Sequence, residues 1–200
     1  MSRRALISVY DKSGLEALLR CLSGFGFEII ASGGTAQRIE EFGYRCIETS
    51  TFTGFPESPS GLVKTLHPKI HGGLLLDPNK PEQQEYMHLQ GIVPIHLVTA
   101  NLYPFETVVA EKGVTVDRAV KSIDIGGSAL IRAAAKAALL NRPVSVLIHP
   151  DQYRSFIEEM EKNRGEISEK TRRRLAGEAF AFTARYDSAI KDYLSRIGDA

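Results

Sequence analysis

The stretch that decides the fold is ALISVYDKSGLEALLRCLSGFGFEIIASGGT, residues 5–35. Its first apolar run, 5–10, is typical of a buried strand, and residues 13–26 then carry the apolar spacing of a helix that ends in glycine. A second apolar run follows at 27–32, and the pair of glycines after it opens another helical pattern. Continuous apolar strands that alternate with helices predict a parallel sheet with helices on both faces.

This alternation continues to residue 150 and then changes character. The further elements predicted from the pattern are helices at 33–43, 113–123 and 128–140 and strands at 96–105 and 143–148, with Ser13 and Thr115 as candidate helix caps. Residues 151–162 and 168–194 are helical in pattern and rich in charged and aromatic side chains. We therefore predict an α/β domain with a mostly parallel sheet over 1–150, and a C-terminal helical extension of the same domain over 151–200.

Composition narrows the class of protein. The chain has 200 residues, of which 43% are hydrophobic and 24% charged, as is usual for a globular domain with a sizeable core. The net charge of +1 argues against a nucleic-acid-coating surface. No apolar run approaches the roughly 20 residues that a membrane span requires. We expect a cytoplasmic protein with small-molecule partners, and neither nucleic acid nor membrane among them.

Four polar loops fall where the predicted strands give way to helices. They are SVYDKSG (8–14), ASGGT (31–35), ANLYPF (100–105) and IDIGGS (123–128). Open α/β sheets bind their ligands at the carboxyl ends of the strands, so these loops predict one shared small-molecule site.

The ASGGT loop has the composition of a phosphate cradle. Gly33 and Gly34 let the backbone approach an oxyanion closely, and the helix start supplies free N–H groups. Ser32 and Thr35 add hydroxyl groups, and Lys12 follows the first strand, from where its ammonium can reach the same phosphate. From the residues alone, a simple glycine turn capped by Thr35 remains an open alternative.

The IDIGGS loop puts an acid ahead of two glycines. Asp124 is followed twelve residues later by Lys136, about three helical turns on. An acid and a lysine in one pocket can form a proton-transfer pair, in which each group tunes the pKa of the other. An ordinary aspartate N-cap and a solvated lysine explain the same residues, and both interpretations stay open.

The segment GLVKTLHPKIHGG (61–73) crowds polar side chains between glycines. His67 and His71 are four residues apart, but no H-E-x-x-H glutamate and no evident third ligand accompany them, so we expect no metal site. Lys64 and Thr65 are better explained as polar groups that reach into a pocket. A surface turn is the alternative.

Taken in order, several strings resemble one known family. They are SVYDKSGL, ASGGTA, FTGFPE, VKTLHPKIHGG, NLYPFE, IDIGGSALIRAAAK and AFAFTARYDSAI. The set resembles the IMP cyclohydrolase domain of the bifunctional enzyme that also carries AICAR transformylase activity. The resemblance implies a methylglyoxal-synthase-like fold and the dehydrative ring closure of FAICAR to IMP, the last step of purine synthesis, with no cofactor and no metal. It also implies a homodimer, with the transformylase as a partner or as a missing fused domain.

The resemblance assigns roles to individual residues. The implied catalytic residues are Lys136 and Asp124, as a proton-transfer pair, with Lys64 and Tyr103. The implied phosphate and ribose contacts are Ser8, Tyr10, Asp11, Lys12, Ser32, Gly33, Gly34 and Thr35. The implied contacts to the base and the pocket wall are Leu62, Val63, Lys64, Thr65, Ala100, Asn101, Asp124, Ile125, Gly126 and Gly127.

The sequence departs from the family pattern at two positions. Leu62 stands where arginine is usual, and Ala137 stands where asparagine usually follows the lysine. The main rival interpretation is a non-catalytic nucleotide-sensing module of the same fold, which needs the phosphate loops but not the full set of Lys64, Tyr103, Asp124 and Lys136. Methylglyoxal synthase itself, which acts on a triose phosphate, is the second rival.

Overall fold

A five-stranded parallel sheet forms the centre of the computed structural model, which describes residues 2–198. Its strands are β1 (Arg3–Val9), β2 (Phe27–Ala31), β3 (Ile47–Glu48), β4 (Leu97–Asn101) and β5 (Ser145–Leu147). Their order across the sheet is β3-β2-β1-β4-β5, and each neighbouring pair is parallel. The predicted α/β fold with a mostly parallel sheet is confirmed.

Helices connect the strands and extend beyond the last of them. They are α1 (Leu15–Gly24), α2 (Gly33–Glu41), α3 (Thr49–Thr53), α4 (Pro68–Leu75), α5 (Pro81–Leu89), α6 (Phe105–Val109), α7 (Val116–Lys121), α8 (Ile125–Leu139), α9 (Asp151–Lys162) and α10 (Glu169–Gly198). The pattern missed β3 and the short helices α3 to α6. Two of these, α4 and α5, begin with a proline, a residue that favours the first turn of a helix.

The two helix caps expected from the sequence had different outcomes. Thr115 caps α7, because its hydroxyl accepts the Arg118 N–H at 3.2 Å, as predicted. The expectation for Ser13 is wrong, since Gly14, at φ 69°, is the N-cap residue of α1. The Asp11 carboxylate instead accepts the Ser13 N–H at 2.9 Å and stabilises the turn before the helix.

Helices cover both faces of the sheet. Ala5, Leu6 and Ile7 alternate in direction along β1, yet all three are fully buried. The helix α1 packs on β2 and α9, while α8 packs on β4, β5, α4 and α10. Because parallel crossovers are right-handed and the strand order reverses at β1, α1 and α8 lie on opposite faces.

The reversal of strand order also locates the ligand-binding edge. Strand β1 lies between β2 and β4, so the carboxyl ends of β1 and β4 form the topological switch point of the sheet. In open α/β sheets the crevice at this point is where ligands bind.

Within residues 2–198, no helix is both long enough and apolar enough to cross a membrane.

Candidate active site

A cavity of about 450 Å³ opens at this switch point, a size suited to a small ligand. We call it the central cavity. Its lining residues are Ser8, Ser32, Gly61, Leu62, Lys64, Thr65, Tyr103, Lys121, Ser122, Ile123, Asp124, Ile125, Gly126 and Gly127. Most of these were predicted from the sequence. The fold therefore joins the 61–65 loop to the start of α8 and to the ends of β1 and β2.

Another group of predicted residues lines a different cavity. Tyr10, Asp11, Lys12 and Asn101 face a volume of about 760 Å³, which we call the aromatic cavity and which Phe182 and Tyr186 of α10 also line. Tyr103 lines both cavities, and its ring meets that of Tyr10 edge to face, with the centroids 4.9 Å apart. Of the implied phosphate and ribose contacts, Ser8 and Ser32 thus line the central cavity and 10–12 the aromatic cavity, whereas 33–35 line neither.

The cation beside the ASGGT loop is not the expected one. The Lys12 ammonium donates to the Tyr10 carbonyl at 3.2 Å, within its own loop. The Lys64 ammonium lies against Gly33 instead, because a Cβ built on this glycine would be only 2.7 Å from Lys64 Nζ. Lys64, and not Lys12, is therefore the lysine beside the ASGGT loop in this structure, and a contact of Lys12 with the phosphate stays a prediction.

The start of α2 is open to a ligand. Ser32 is extended, at φ −144° and ψ 157°, and its side chain makes no capping hydrogen bond. The N–H groups of the first helical turn have no partner inside the helix, so Gly33 and Gly34 present donors at this end. These features fit a phosphate, whose oxygens accept hydrogen bonds from amides at a helix start.

The Thr35 hydroxyl, which the sequence placed among the phosphate contacts, has a structural role instead. Its side chain is 5% exposed, and its hydroxyl both accepts the Val9 N–H and donates to the Val9 carbonyl, each at 3.1 Å. The hydroxyl thus continues the hydrogen bonding of β1 and joins this strand to α2. It is not available to the phosphate that the sequence assigned to it.

The start of α8 already holds a carboxylate. Asp124 caps this helix, with its Oδ1 accepting the Gly127 N–H at 2.7 Å. A side chain at Gly127 would displace this carboxylate, because an added Cβ would lie 2.9 Å from Asp124 Oδ2. The cap interpretation left open by the sequence is correct, and Asp124 also lines the central cavity.

Helix α10 fixes the position of Asp124. The Tyr186 hydroxyl accepts the Asp124 N–H at 2.9 Å and donates to the Ser122 carbonyl at 3.2 Å. Burial raises the pKa of this tyrosine, so it stays a protonated donor at neutral pH. Sequence reasoning missed Tyr186, although it lies in the string AFAFTARYDSAI that contributed to the family resemblance.

Lys136 lies at the opposite end of α8 from Asp124. Twelve residues of helix correspond to about 18 Å, and Lys136 is exposed in the last turn. It lines neither the central nor the aromatic cavity. A direct Asp124–Lys136 pair within this chain is therefore wrong, and the cavity instead offers Asp124 the neighbours Lys64 and Lys121.

The remaining contacts implied for the base are mostly structural. The Asn101 amide oxygen accepts the N–H groups of Tyr10 and Asp11 at 2.6 and 2.9 Å, so this side chain holds the loop after β1. Ala100 is buried in β4, where it pairs with Ser8. Val63 is exposed and lies outside the central cavity.

Position 62 and the two histidines belong to the segment 61–73. Leu62 is 75% exposed at the cavity, where the family usually has a cation. His67 Nδ1 accepts the Lys69 N–H at 3.1 Å and caps α4. Burial lowers the pKa of His67 and of His71, which favours their neutral forms. Among the residues that the structure describes, no three His, Cys, Asp or Glu side chains are grouped to hold a metal ion.

The fold and the central cavity define a class of protein. The chain belongs to the MGS-like domain family, whose model matches residues 14–129. Residues 134–200 match the model of the AICARFT/IMPCHase bienzyme family. The resemblance drawn from the sequence strings is thereby confirmed.

The chain is similar to curated proteins named bifunctional purine biosynthesis protein PurH. The protein of Persephonella marina is 48% identical over 98% of this chain, and that of Synechocystis is 46% identical over all of it. The chain spans 37% and 39% of the lengths of these two relatives. A crystal structure of the protein ForH, 27% identical, superposes with a TM-score of 0.83 over 97% of this chain and 100% of that one. The PurH relatives support a role in purine biosynthesis.

Proposed function

We propose that this protein is an IMP cyclohydrolase, which closes the ring of FAICAR to give IMP with loss of water. The observation that carries the proposal is the convergence of Lys64, Tyr103 and Asp124 on one cavity whose wall includes Ser32 of the open α2 start. A nucleotide needs both parts, an anion cradle for its phosphate and polar groups at its base.

The reaction is intramolecular. The carboxamide nitrogen attacks the formyl carbon, a C–N bond forms, and the formyl oxygen becomes a hydroxyl group. The carboxamide nitrogen gives up one proton as it attacks, and the formamido nitrogen gives up another as the hydroxyl leaves as water and the C=N bond of the ring forms, so no electrons are exchanged with an outside reagent. Because nucleophile and electrophile belong to one molecule, holding them in a near-attack geometry supplies much of the catalysis.

Proton transfer falls to Asp124 in this proposal. Its Oδ1 is occupied by the Gly127 N–H, but a carboxylate offers further lone pairs that can accept the carboxamide proton. Lys64 and Tyr103 are the donors that can stabilise charge on the formyl oxygen. Lys121 lines the same cavity as Leu62, which replaces the usual arginine, and its ammonium pairs with Asp117 at 2.7 Å.

Absorbance in the ultraviolet tests the proposal directly, since IMP has a closed purine ring and FAICAR does not. Purified protein should convert FAICAR to IMP, and EDTA should leave the rate unchanged. No turnover together with retained IMP binding would favour the nucleotide-sensing module instead. If the protein showed no turnover and also no IMP binding, both the cyclohydrolase and the nucleotide-sensing interpretations would be overturned.

Two further parts of the proposal concern assembly. We propose a homodimer, which light scattering would contradict by giving the mass of a single chain at micromolar concentration. An AICAR transformylase is the partner that fits the bifunctional relatives, as a separate protein or as a fused domain.

A further inference from the structure

Glu57 forms an ion pair with Lys64, its Oε1 against Lys64 Nζ. Glu57 belongs to the string FTGFPE, to which neither the sequence pattern nor the proposed reaction gives a role. The side chain of Lys64 is 29% exposed and that of Glu57 is 43% exposed. This pair joins the 54–58 loop to the candidate active site.

Lys64 lines two cavities, and Glu57 shares only one of them with it. Glu57 and Lys64 both line a neighbouring cavity of about 300 Å³, together with Phe55 and His67. Lys64 lines the central cavity as well, whereas Glu57 does not. Glu57 can therefore hold the ammonium without occupying the space that a ligand needs.

Two glycines shape the path of the lysine. Gly61 has φ +67°, and a Cβ built there would be 2.1 Å from Lys64 Cε and 2.9 Å from Glu57 Oε1. Gly33 has φ +54°, and its built Cβ would be 2.7 Å from Lys64 Nζ. The side chain thus folds back across Gly61, and its ammonium ends between Glu57 and the start of α2.

We propose that Glu57 is a positioning residue, which holds the Lys64 ammonium at the α2 N-terminus so that an incoming phosphate meets a preassembled cation. The phosphate rests on the proposed function, whereas the hold on Lys64 does not. An ammonium has three N–H donors, so the bond to Glu57 leaves two for the ligand. A free lysine loses considerable rotamer entropy when it is ordered, and the ion pair imposes that order before binding.

The test compares Glu57→Ala, Lys64→Ala and the double variant. Glu28→Ala is the matched control, since Glu28 is 41% exposed and pairs with Arg4 at the opposite end of the sheet. We expect Glu57→Ala to weaken IMP binding about fivefold, the range of an exposed ion pair, and Glu28→Ala to change it less than about twofold. In the Lys64→Ala background, Glu57→Ala should have no further effect, because Glu57 acts only through Lys64.

A second readout does not depend on nucleotide binding. Brief acetylation with acetic anhydride, followed by mass spectrometry, measures how accessible each lysine amine is. Lys64 should react about fivefold faster in Glu57→Ala than in wild type, and in Glu28→Ala it should react at the wild-type rate.

Each contrary result has a distinct meaning. Tighter IMP binding in Glu57→Ala would overturn the proposal by making Glu57 a competitor of the phosphate. An equal loss with and without Lys64 would make it a purely structural residue of its loop, which also overturns it. Faster acetylation without any IMP binding would support the hold on Lys64 and count against the proposed function.

Discussion

Two helices of this protein have a pair of glycines in their first turn, yet their starts differ in chemistry. Helix α2 follows Ser32, which makes no capping bond, and the Lys64 ammonium lies over Gly33. Helix α8 follows Asp124, whose carboxylate caps the first turn. The N-cap residue decides whether the helix start is open or occupied.

This difference suits the two helix starts to different functions, anion binding at one and proton transfer at the other. An open helix start with a nearby ammonium attracts an anion, because free N–H groups and positive charge point the same way. A helix start that already holds a carboxylate repels a second anion but presents a base. In the proposed function, phosphate binding therefore belongs to α2 and proton transfer to α8, and substitutions can test each role.

The largest effect is expected for Lys64→Ala. Removing this ammonium takes away the cation at α2 and a donor to the reacting end of the substrate, so both IMP affinity and kcat should fall. We expect kcat/KM to decrease by roughly 10³-fold, within the range for general acid–base groups. Single-turnover ring closure and IMP titration measure the two parts. A loss confined to affinity would limit Lys64 to the phosphate.

The next largest effect is expected for Asp124→Asn. Asparagine also caps helices, so α8 should keep its start and IMP binding should change little. The amide cannot accept the proton, and we expect kcat to fall by about 10²-fold. Parallel measurements of kcat, IMP affinity and the melting temperature separate these contributions. Near-wild-type turnover would remove Asp124 from the chemistry and return it to the role of an ordinary cap.

A smaller effect is expected from the two glycines of α2, which form a matched pair. In Gly33→Ala the new Cβ meets Lys64 Nζ and the positive φ is strained, so IMP affinity should weaken about tenfold. Gly34 has no heavy atom within 4 Å of an added Cβ. Gly34→Ala should therefore stay within about twofold of wild type. Equal losses in both variants would contradict the placement of Lys64 over Gly33.

The sequence predicted the fold better than the contacts of the site. The spacing of apolar residues and the glycines at the ends of elements depend only on neighbours along the chain. The bounds of β1, β2 and α9 were therefore predicted close to those observed. The position of Lys64 depends on how the 61–65 loop folds against the start of α2, which no local pattern records. Tyr186 was missed for the same reason, since its partner Asp124 is 62 residues away.

The smallest effect is expected for Lys136→Ala, the variant that tests the other end of α8. The resemblance implies a proton-transfer role, whereas the structure leaves Lys136 exposed about 18 Å along the helix from Asp124. A lysine at that distance cannot exchange a proton with Asp124 inside one chain.

If each chain contains its whole site, Lys136→Ala should keep kcat and IMP affinity within about twofold of wild type, as for other exposed substitutions. The comparison with Asp124→Asn in the same single-turnover assay is decisive, because both residues lie on one helix. A loss as large as that of Asp124→Asn would show that Lys136 takes part from outside this chain's own cavity. Mixing Lys136→Ala with Asp124→Asn protein would then restore part of the activity, since each copy would supply the group that the other lacks.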